Sequence, residues 1–149
     1  MSTSGSTEAY TRTELCAFLN RMLEAERAGA KALLVYMEEH ERQGESWKAL
    51  RRVQADEAHD CALLGKLLER HGEPYSHATG EFYEKAVAVA GRRQRIEFLM
   101  RGLGWAVREF DRALPRIGDD ADRSTIRAMR ESHSHSIEAC AAVARGLKD

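Results

Sequence analysis

Apolar residues recur at helical spacing in four long segments, and no segment alternates like a half-buried strand. The predicted helices cover about 13–43, 46–71, 92–117 and 119–147. A short helix over 81–90, capped by Thr79, is predicted in the link between the second and third helices. Ser46 is the expected N-cap of the second helix, because its hydroxyl can accept from exposed backbone N–H groups. The pattern therefore predicts an all-α fold.

The lengths of the links predict how these helices are arranged. Tight turns at Gly44 and Gly118 make the first two helices, and the last two, antiparallel neighbours. The long link 72–91 can run the length of a bundle. We therefore expect one domain, 12–149, folded as a four-helix bundle with a long crossover containing a short helix. The Ser/Thr-rich segment 1–11 is predicted to be a disordered tail.

Three polar residues are predicted to face the core, and two more to flank it, when each helix is advanced by about 100° per residue. Glu26 falls in the apolar stripe of the first helix, Glu57 in that of the second with Asp60 one turn later on its flank, and His133 in that of the fourth with Arg130 one turn earlier on its flank. Glu26, Glu57 and His133 each lie near the midpoint of a helix, so they should converge at one level of the bundle. The third helix has an uninterrupted apolar stripe of Ile96, Leu99, Leu103, Val107, Phe110 and Leu114.

Such a cluster requires compensation, because a buried ionised carboxylate costs several kcal/mol when it is unpaired. One hypothesis is a metal site at Glu26, Glu57 and His133, with Asp60 beside it, binding one Fe, Mn or Zn ion. The other is a metal-free ion-pair network in which Arg130 and a protonated His133 balance the glutamates. The sequence leaves both open.

Composition excludes several classes of function. The net charge of −1 and the 7% aromatic content argue against a nucleic-acid surface. No apolar run approaches the ~18 residues of a membrane span, and no secretory signal pattern is present. The scattered Cys16, Cys61 and Cys140 are typical of reduced thiols, so a cytoplasmic protein is expected. There is no nucleophile elbow and no phosphate-binding loop.

A second apolar line runs along the back of the third helix, through Phe98 and Trp105. This face is predicted to pack against the crossover helix through Phe82 and Val89, or against a second subunit as a homodimer. Self-association through this face or through the crossover helix is therefore an alternative role. A small-molecule site in the polar core is a third.

Four stretches carry a resemblance to a known superfamily. They are 23–31 (LEAERAGAK), 56–61 (DEAHDC), 80–86 (GEFYEKA) and 102–105 (GLGW). On these the chain resembles the ferritin-like four-helix bundles, which include rubrerythrin-type and bacterioferritin-type proteins, and is similar to an uncharacterised group of bacterial ferritin-like domains. Two hairpins joined by one long crossover are typical of that superfamily.

The resemblance implies a reduced metal site. Ferritin-like di-iron proteins carry a glutamate on helices one and three and Glu-x-x-His on helices two and four. Here Glu26, Glu57 and His133 match that pattern, but Asp60 stands where histidine is expected and Arg130 where glutamate is expected. Helix three offers no inward glutamate. The resemblance therefore implies a mononuclear site, or a site that has lost its metal, rather than a full di-iron centre. The hypothesis taken forward is a redox-active ion at the reduced site.

Overall fold

The computed structural model describes residues 8–147, which contain helices and no strand. The helices are α1 (Arg12–Met37), α2 (Glu45–Arg70), α3 (Phe82–Ala88), α4 (Arg92–Ala113) and α5 (Asp120–Arg145), and a 3₁₀ turn, Leu114–Arg116, follows α4. The prediction of an all-α chain is confirmed. None of these helices is both long and apolar enough to cross a bilayer.

The helix ends differ from the predicted caps at two places. α1 starts at a capping box, in which Thr11 and Glu14 each accept a hydrogen bond from the other's backbone N–H. The N-cap of α2 is Gly44, and Ser46 lies within the first turn, so the predicted cap was wrong. The N-cap of α3 is Glu81 rather than Thr79. Local hydroxyl preference misplaced both ends by one or two residues, as is common for helix boundaries.

The described part of the predicted tail, from residue 8, contacts the bundle. The first seven residues of the predicted tail lie outside the described residues. From residue 8 onward, the Tyr10 N–H donates to the Arg116 carbonyl at 2.7 Å. The Tyr10 ring stacks on Phe18 with centroids 6.0 Å apart, and the Arg116 guanidinium lies 4.4 Å from its centroid. Tyr10 thus ties this end of the chain to the turn after α4.

The four long helices pack as two hairpins. α1 packs mainly on α2 and α4 mainly on α5, and the hairpins meet where α2 contacts α5 and α1 contacts α4. Two apolar clusters fill the interior, one around Leu19, Leu68 and Phe110 and the other around Leu33, Leu50 and Ile96. Glu26, Glu57, Asp60 and His133 lie at helix positions between these clusters.

The inward face of α4 is rotated slightly from the predicted stripe. Ala106 and Ala113 are buried, whereas Val107 and Leu114 are only partly buried. The expected stripe followed the larger apolar residues, but the inward positions belong to small alanines. Because its side chain is a single methyl group, Ala106 leaves space at the middle of the bundle.

The crossover is fastened to α1 and α4. The Phe82 ring stacks on Phe98 with centroids 5.0 Å apart, so α3 covers this part of the back of α4, as one of the two predicted alternatives required. Trp105 is 36% exposed. On the other side, the Tyr36 hydroxyl donates to the Ala86 carbonyl at 2.9 Å, and Arg27 donates to the Ser76 carbonyl at 2.9 Å.

Candidate metal centre

The three polar residues predicted to face inward meet in the middle of the bundle, together with Asp60 from the flank of α2. Glu26, Glu57, Asp60 and His133 are each at most 5% exposed. Each offers one nitrogen or oxygen atom, and these four atoms all lie within 4.8 Å of one another. α1 supplies the first, α2 supplies the next two one helical turn apart, and α5 supplies the histidine. We call these four residues the central cluster.

The hydrogen bonds of His133 define which of its nitrogens faces the carboxylates. Nδ1 lies 2.9 Å from the Met129 carbonyl oxygen, one turn earlier on α5. A carbonyl oxygen can only accept, so Nδ1 carries a hydrogen and donates it. Nε2 lies 2.7 Å from Glu26 Oε2 and 3.2 Å from Glu57 Oε2. In the neutral imidazole this nitrogen has a lone pair, so a proton or a cation is needed between it and the carboxylates.

The carboxylates are short of donors. Neither Glu26 Oε1 nor Asp60 Oδ2 accepts a hydrogen bond from any residue in 8–147. Among the same residues, no lysine or arginine pairs with the three carboxylates of the central cluster, and His133 is their one ion-pair partner. The position of Glu57 depends on Gly29, because a Cβ at Gly29 would overlap Glu57 Oε1.

Burial and mutual repulsion raise the pKa values of all three carboxyl groups. Burial, reinforced by Asp60, raises the pKa of Glu26 from 4.5 to about 8. Burial and the neighbouring Glu26 charge raise the pKa of Glu57 well above 4.5. Burial raises the pKa of Asp60 from 3.8 to about 6, although His133 opposes this. Without a cation, the central cluster therefore retains protons at neutral pH.

Arg130 does not complete this cluster, contrary to the ion-pair hypothesis. Its guanidinium binds Asp111 of α4, with Nε 2.9 Å from Oδ1, and Nη1 lies 3.4 Å from the Ser134 hydroxyl. The side chain is long enough to follow the bundle surface to α4, and angular placement on α5 alone did not show which way it turns. The predicted compensation of Glu26 and Glu57 by Arg130 was wrong.

Sequence reasoning missed a second buried acid. Asp122, in the first turn of α5, is 1% exposed and pairs with Arg70 and His71 at the end of α2. His71, which follows the last residue of α2, places its Nε2 atom 2.8 Å from Asp122 Oδ2. Asp122 resembled an ordinary first-turn acid stabilising a helix N-terminus. Its partners lie in another hairpin and leave no local signal.

The central cluster has the composition of a metal site. Three carboxylates and one imidazole form an oxygen-rich set suited to divalent first-row ions. Ligands at 2.0–2.2 Å from one ion lie at most about 4.4 Å apart, so the 4.8 Å spread of these atoms requires only a small contraction. The Nδ1 donation from His133 to Met129 is the kind of second hydrogen bond that orients a metal-binding imidazole. The side chains present therefore fit a single ion.

Comparison with protein families gives one match. The model described as "Domain of unknown function (DUF6306)" matches residues 13–142, nearly the whole helical region. The chain belongs to the DUF6306 family. All four residues of the central cluster lie within the DUF6306 match. No curated protein and no solved structure matches the chain significantly.

Proposed function

We propose that this DUF6306 protein binds one divalent transition-metal ion, Mn²⁺, Fe²⁺ or Zn²⁺, through Glu26, Glu57, Asp60 and His133. The observation that carries the proposal is the His133 Nε2 atom, which lies beside oxygen atoms of two glutamates. Its Nδ1 is already occupied by Met129. An ion at this place would use the imidazole lone pair and neutralise carboxylates that have no lysine or arginine partner among the described residues.

We further propose that this chain is a ferritin-like bundle whose metal site has fewer ligands than a di-iron centre and holds one ion. The two hairpins and the crossover through α3 support this assignment, as do the positions of Glu26 and His133. α4 contributes Leu103 and Ala106 beside the cluster and no carboxylate, which argues against a second ion. Bound manganese or iron would supply one-electron redox chemistry. The protein residues would orient the ion.

The distances also support a metal-free alternative, in which a proton is shared between His133 and Glu26, 2.7 Å apart. The bundle would then be a structural module, acting through self-association at Trp105, which is 36% exposed. Trp105→Glu should convert a dimer to a monomer in size-exclusion chromatography if this role holds. Unchanged elution would remove the association role.

Titration of chelator-stripped protein tests the metal proposal. Isothermal titration with Mn²⁺, Fe²⁺ under anaerobic conditions, and Zn²⁺ should give one equivalent per chain. Free metal at 100 times its dissociation constant should stabilise the fold by about 2.7 kcal/mol, which corresponds to a Tm increase of about 5–10 °C. No heat and no Tm change with any of the three ions would refute the proposal.

Matched substitutions localise any binding to the cluster. Glu57→Gln should abolish the titration, whereas Asp56→Asn, on the exposed side of the same turn of α2, should leave it intact. Gly29→Ala should also weaken binding, because the added methyl group would displace the Glu57 carboxylate. Equal binding by Glu57→Gln and wild type would place the ion elsewhere.

A further inference from the structure

A cleft of about 500 Å³ leads from the surface to the central cluster. It opens between α1, α3 and α4, and its inner end is formed by Glu26, Glu57 and His133. Its walls are mainly apolar and come largely from α3 and α4, through Phe82, Phe98, Leu99, Leu103, Trp105 and Ala106. This volume lies within the range of about 300–1,000 Å³ found for small-molecule sites.

The cleft reaches the central cluster from the side of α4, the one long helix that supplies no polar side chain to the cluster. α1, α2 and α5 contribute Glu26, Glu57 and His133, whereas α4 contributes Leu103 and Ala106. Any coordination positions of an ion that the four side chains leave open would therefore face this cleft. Glu26 Oε1, which accepts no hydrogen bond from a described residue, belongs to a side chain lining its inner end.

Gly102 allows the crossover helix to form the outer wall. A Cβ at Gly102 would lie 2.6 Å from the Phe82 ring, closer than real side chains approach. The glycine thus lets Phe82 lie against the α4 backbone, where it also stacks on Phe98. The cleft is consequently lined by aromatic rings at its outer end and by carboxylates at its inner end.

The charges around the cleft and its apolar walls together favour an uncharged ligand. At the inner end, three carboxylates exceed the charge of one divalent ion, so a ligand carboxylate would be repelled. At the entrance, Arg21 pairs with Glu109 and Lys85 lies 4.0 Å from Glu81, so these exposed charges are balanced and favour neither sign. An ammonium group would lose its hydration between the apolar walls, whereas an uncharged hydroxyl group avoids both penalties and can donate to a carboxylate or bind the ion.

We propose that the cleft binds a small uncharged molecule with an apolar body and one hydroxyl group, the hydroxyl directed at Glu26 and Glu57. This inference rests on the proposed metal function, since the charge at the inner end is counted with one divalent ion present. The apolar body would lie against Leu99, Leu103 and Ala106. The ligand class is therefore that of phenols and apolar alcohols.

Three naphthalene probes of equal shape test the charge argument. 2-Naphthol, 2-naphthoate and 2-naphthylmethylammonium would be titrated at pH 7 into metal-loaded and metal-stripped protein, with binding followed by calorimetry. 2-Naphthol should bind at least tenfold more tightly than either charged probe. Absence of naphthol binding, or equally tight binding of the naphthoate, would overturn the inference.

A substitution that fills the cleft tests the site, and a similar substitution outside the cleft is its matched control. Ala106→Leu should weaken 2-naphthol binding at least tenfold, whereas Ala113→Leu, equally buried on α4 but outside the cleft, should not. If Ala106→Leu fails to fold, nuclear Overhauser contacts in the wild-type protein give the same answer. They should join the naphthol ring to the methyl groups of Leu99, Leu103 and Ala106. Contacts to Ala142 and Val143 of a different surface cleft instead would refute the site.

The metal and ligand proposals fail in distinguishable ways. Metal binding with one equivalent and no naphthol binding would refute the cleft inference alone. Naphthol contacts to Leu103 and Ala106 in protein that binds no metal would refute the metal site and support the cleft as a ligand site.

Discussion

Two buried acidic sites in this bundle differ in how their charge is balanced. Asp122 is a single carboxylate at the end of the bundle, and both Arg70 and His71 pair with it. The central cluster places three carboxylates around one imidazole, and these carboxylates pair with no lysine or arginine among the described residues. Both sites are almost fully buried, so burial alone does not separate them.

The contrast shows which observation points to a ligand. A buried acid with matched cationic partners is a structural ion pair and requires nothing further. A cluster with more carboxylates than cationic partners must hold protons or a metal ion. The central cluster is therefore the functional candidate, and Asp122 serves as its internal control.

The largest expected difference concerns the two histidines. His133→Ala should reduce metal affinity roughly 100-fold or more, because it removes the one nitrogen ligand. His71→Ala, which affects only the Asp122 site, should leave affinity within about twofold of wild type. Competition with a fluorescent chelator measures both. Similar losses in the two variants would mean that His133 acts through stability rather than through coordination.

The next difference concerns the stability of the metal-free protein. Asp122→Asn should lower the free energy of unfolding by about 2 kcal/mol, because charge-assisted bonds to Arg70 and His71 are lost. Glu57→Gln should leave it unchanged or increase it at pH 8, because the raised pKa of Glu57 means that its charged form is disfavoured. Urea denaturation under chelator measures both. A strong destabilisation by Glu57→Gln would favour the metal-free network.

The pH dependence of the metal-free protein should follow from the raised carboxyl pKa values. As pH rises from 4.5 to about 8, the unfolded chain loses a proton from Glu26 that the folded chain retains. Stability should therefore fall over this window, since it decreases with pH wherever the folded state binds more protons. Urea midpoints between pH 5 and 8 check this, with Glu26→Gln expected to flatten the slope. Stability that rises through the window would contradict the pKa shift.

The smallest effect is expected at Arg130. Its ion pair with Asp111 is solvent-accessible, and such pairs contribute little. Arg130→Met should therefore leave both metal affinity and the urea midpoint close to wild type. A large destabilisation would indicate that Arg130 does compensate the negative charge of the central cluster.

Periodicity predicted the helices and the convergence of Glu26, Glu57 and His133, with Asp60 on the flank of its stripe. This succeeded because Glu26, Glu57 and His133 each interrupt an apolar stripe near the middle of a long helix. Chain order and link length then brought the stripes together. The boundaries of α1 and α2 were less accurate, because α1 ends at Met37 rather than near residue 43 and α2 is capped by Gly44 rather than Ser46.

Periodicity could not predict two kinds of feature: the direction in which a long side chain turns, and the space or close contact that a small residue allows. Arg130 sits at a flank from which it can turn to Asp60 or to Asp111, and only the packed hairpin decides. A hydrophobic pattern does not distinguish Ala106 or Gly102 from their neighbours. Ala106 nevertheless lines the cleft, and Gly102 allows the contact with Phe82. The glycine at Gly29 was a usable signal, because glycine inside a helix is unfavourable without a close neighbour.

Anomalous diffraction from crystals grown with Mn²⁺ tests the central claim most directly. The account predicts one peak at the manganese edge, about 2.0–2.3 Å from Glu26, Glu57 and His133 atoms, and loss of that peak in His133→Ala crystals but not in His135→Ala crystals. His135 lies on the exposed side of the same helix and serves as the matched control. A central cluster without a peak, or with a peak that survives in His133→Ala, would contradict it.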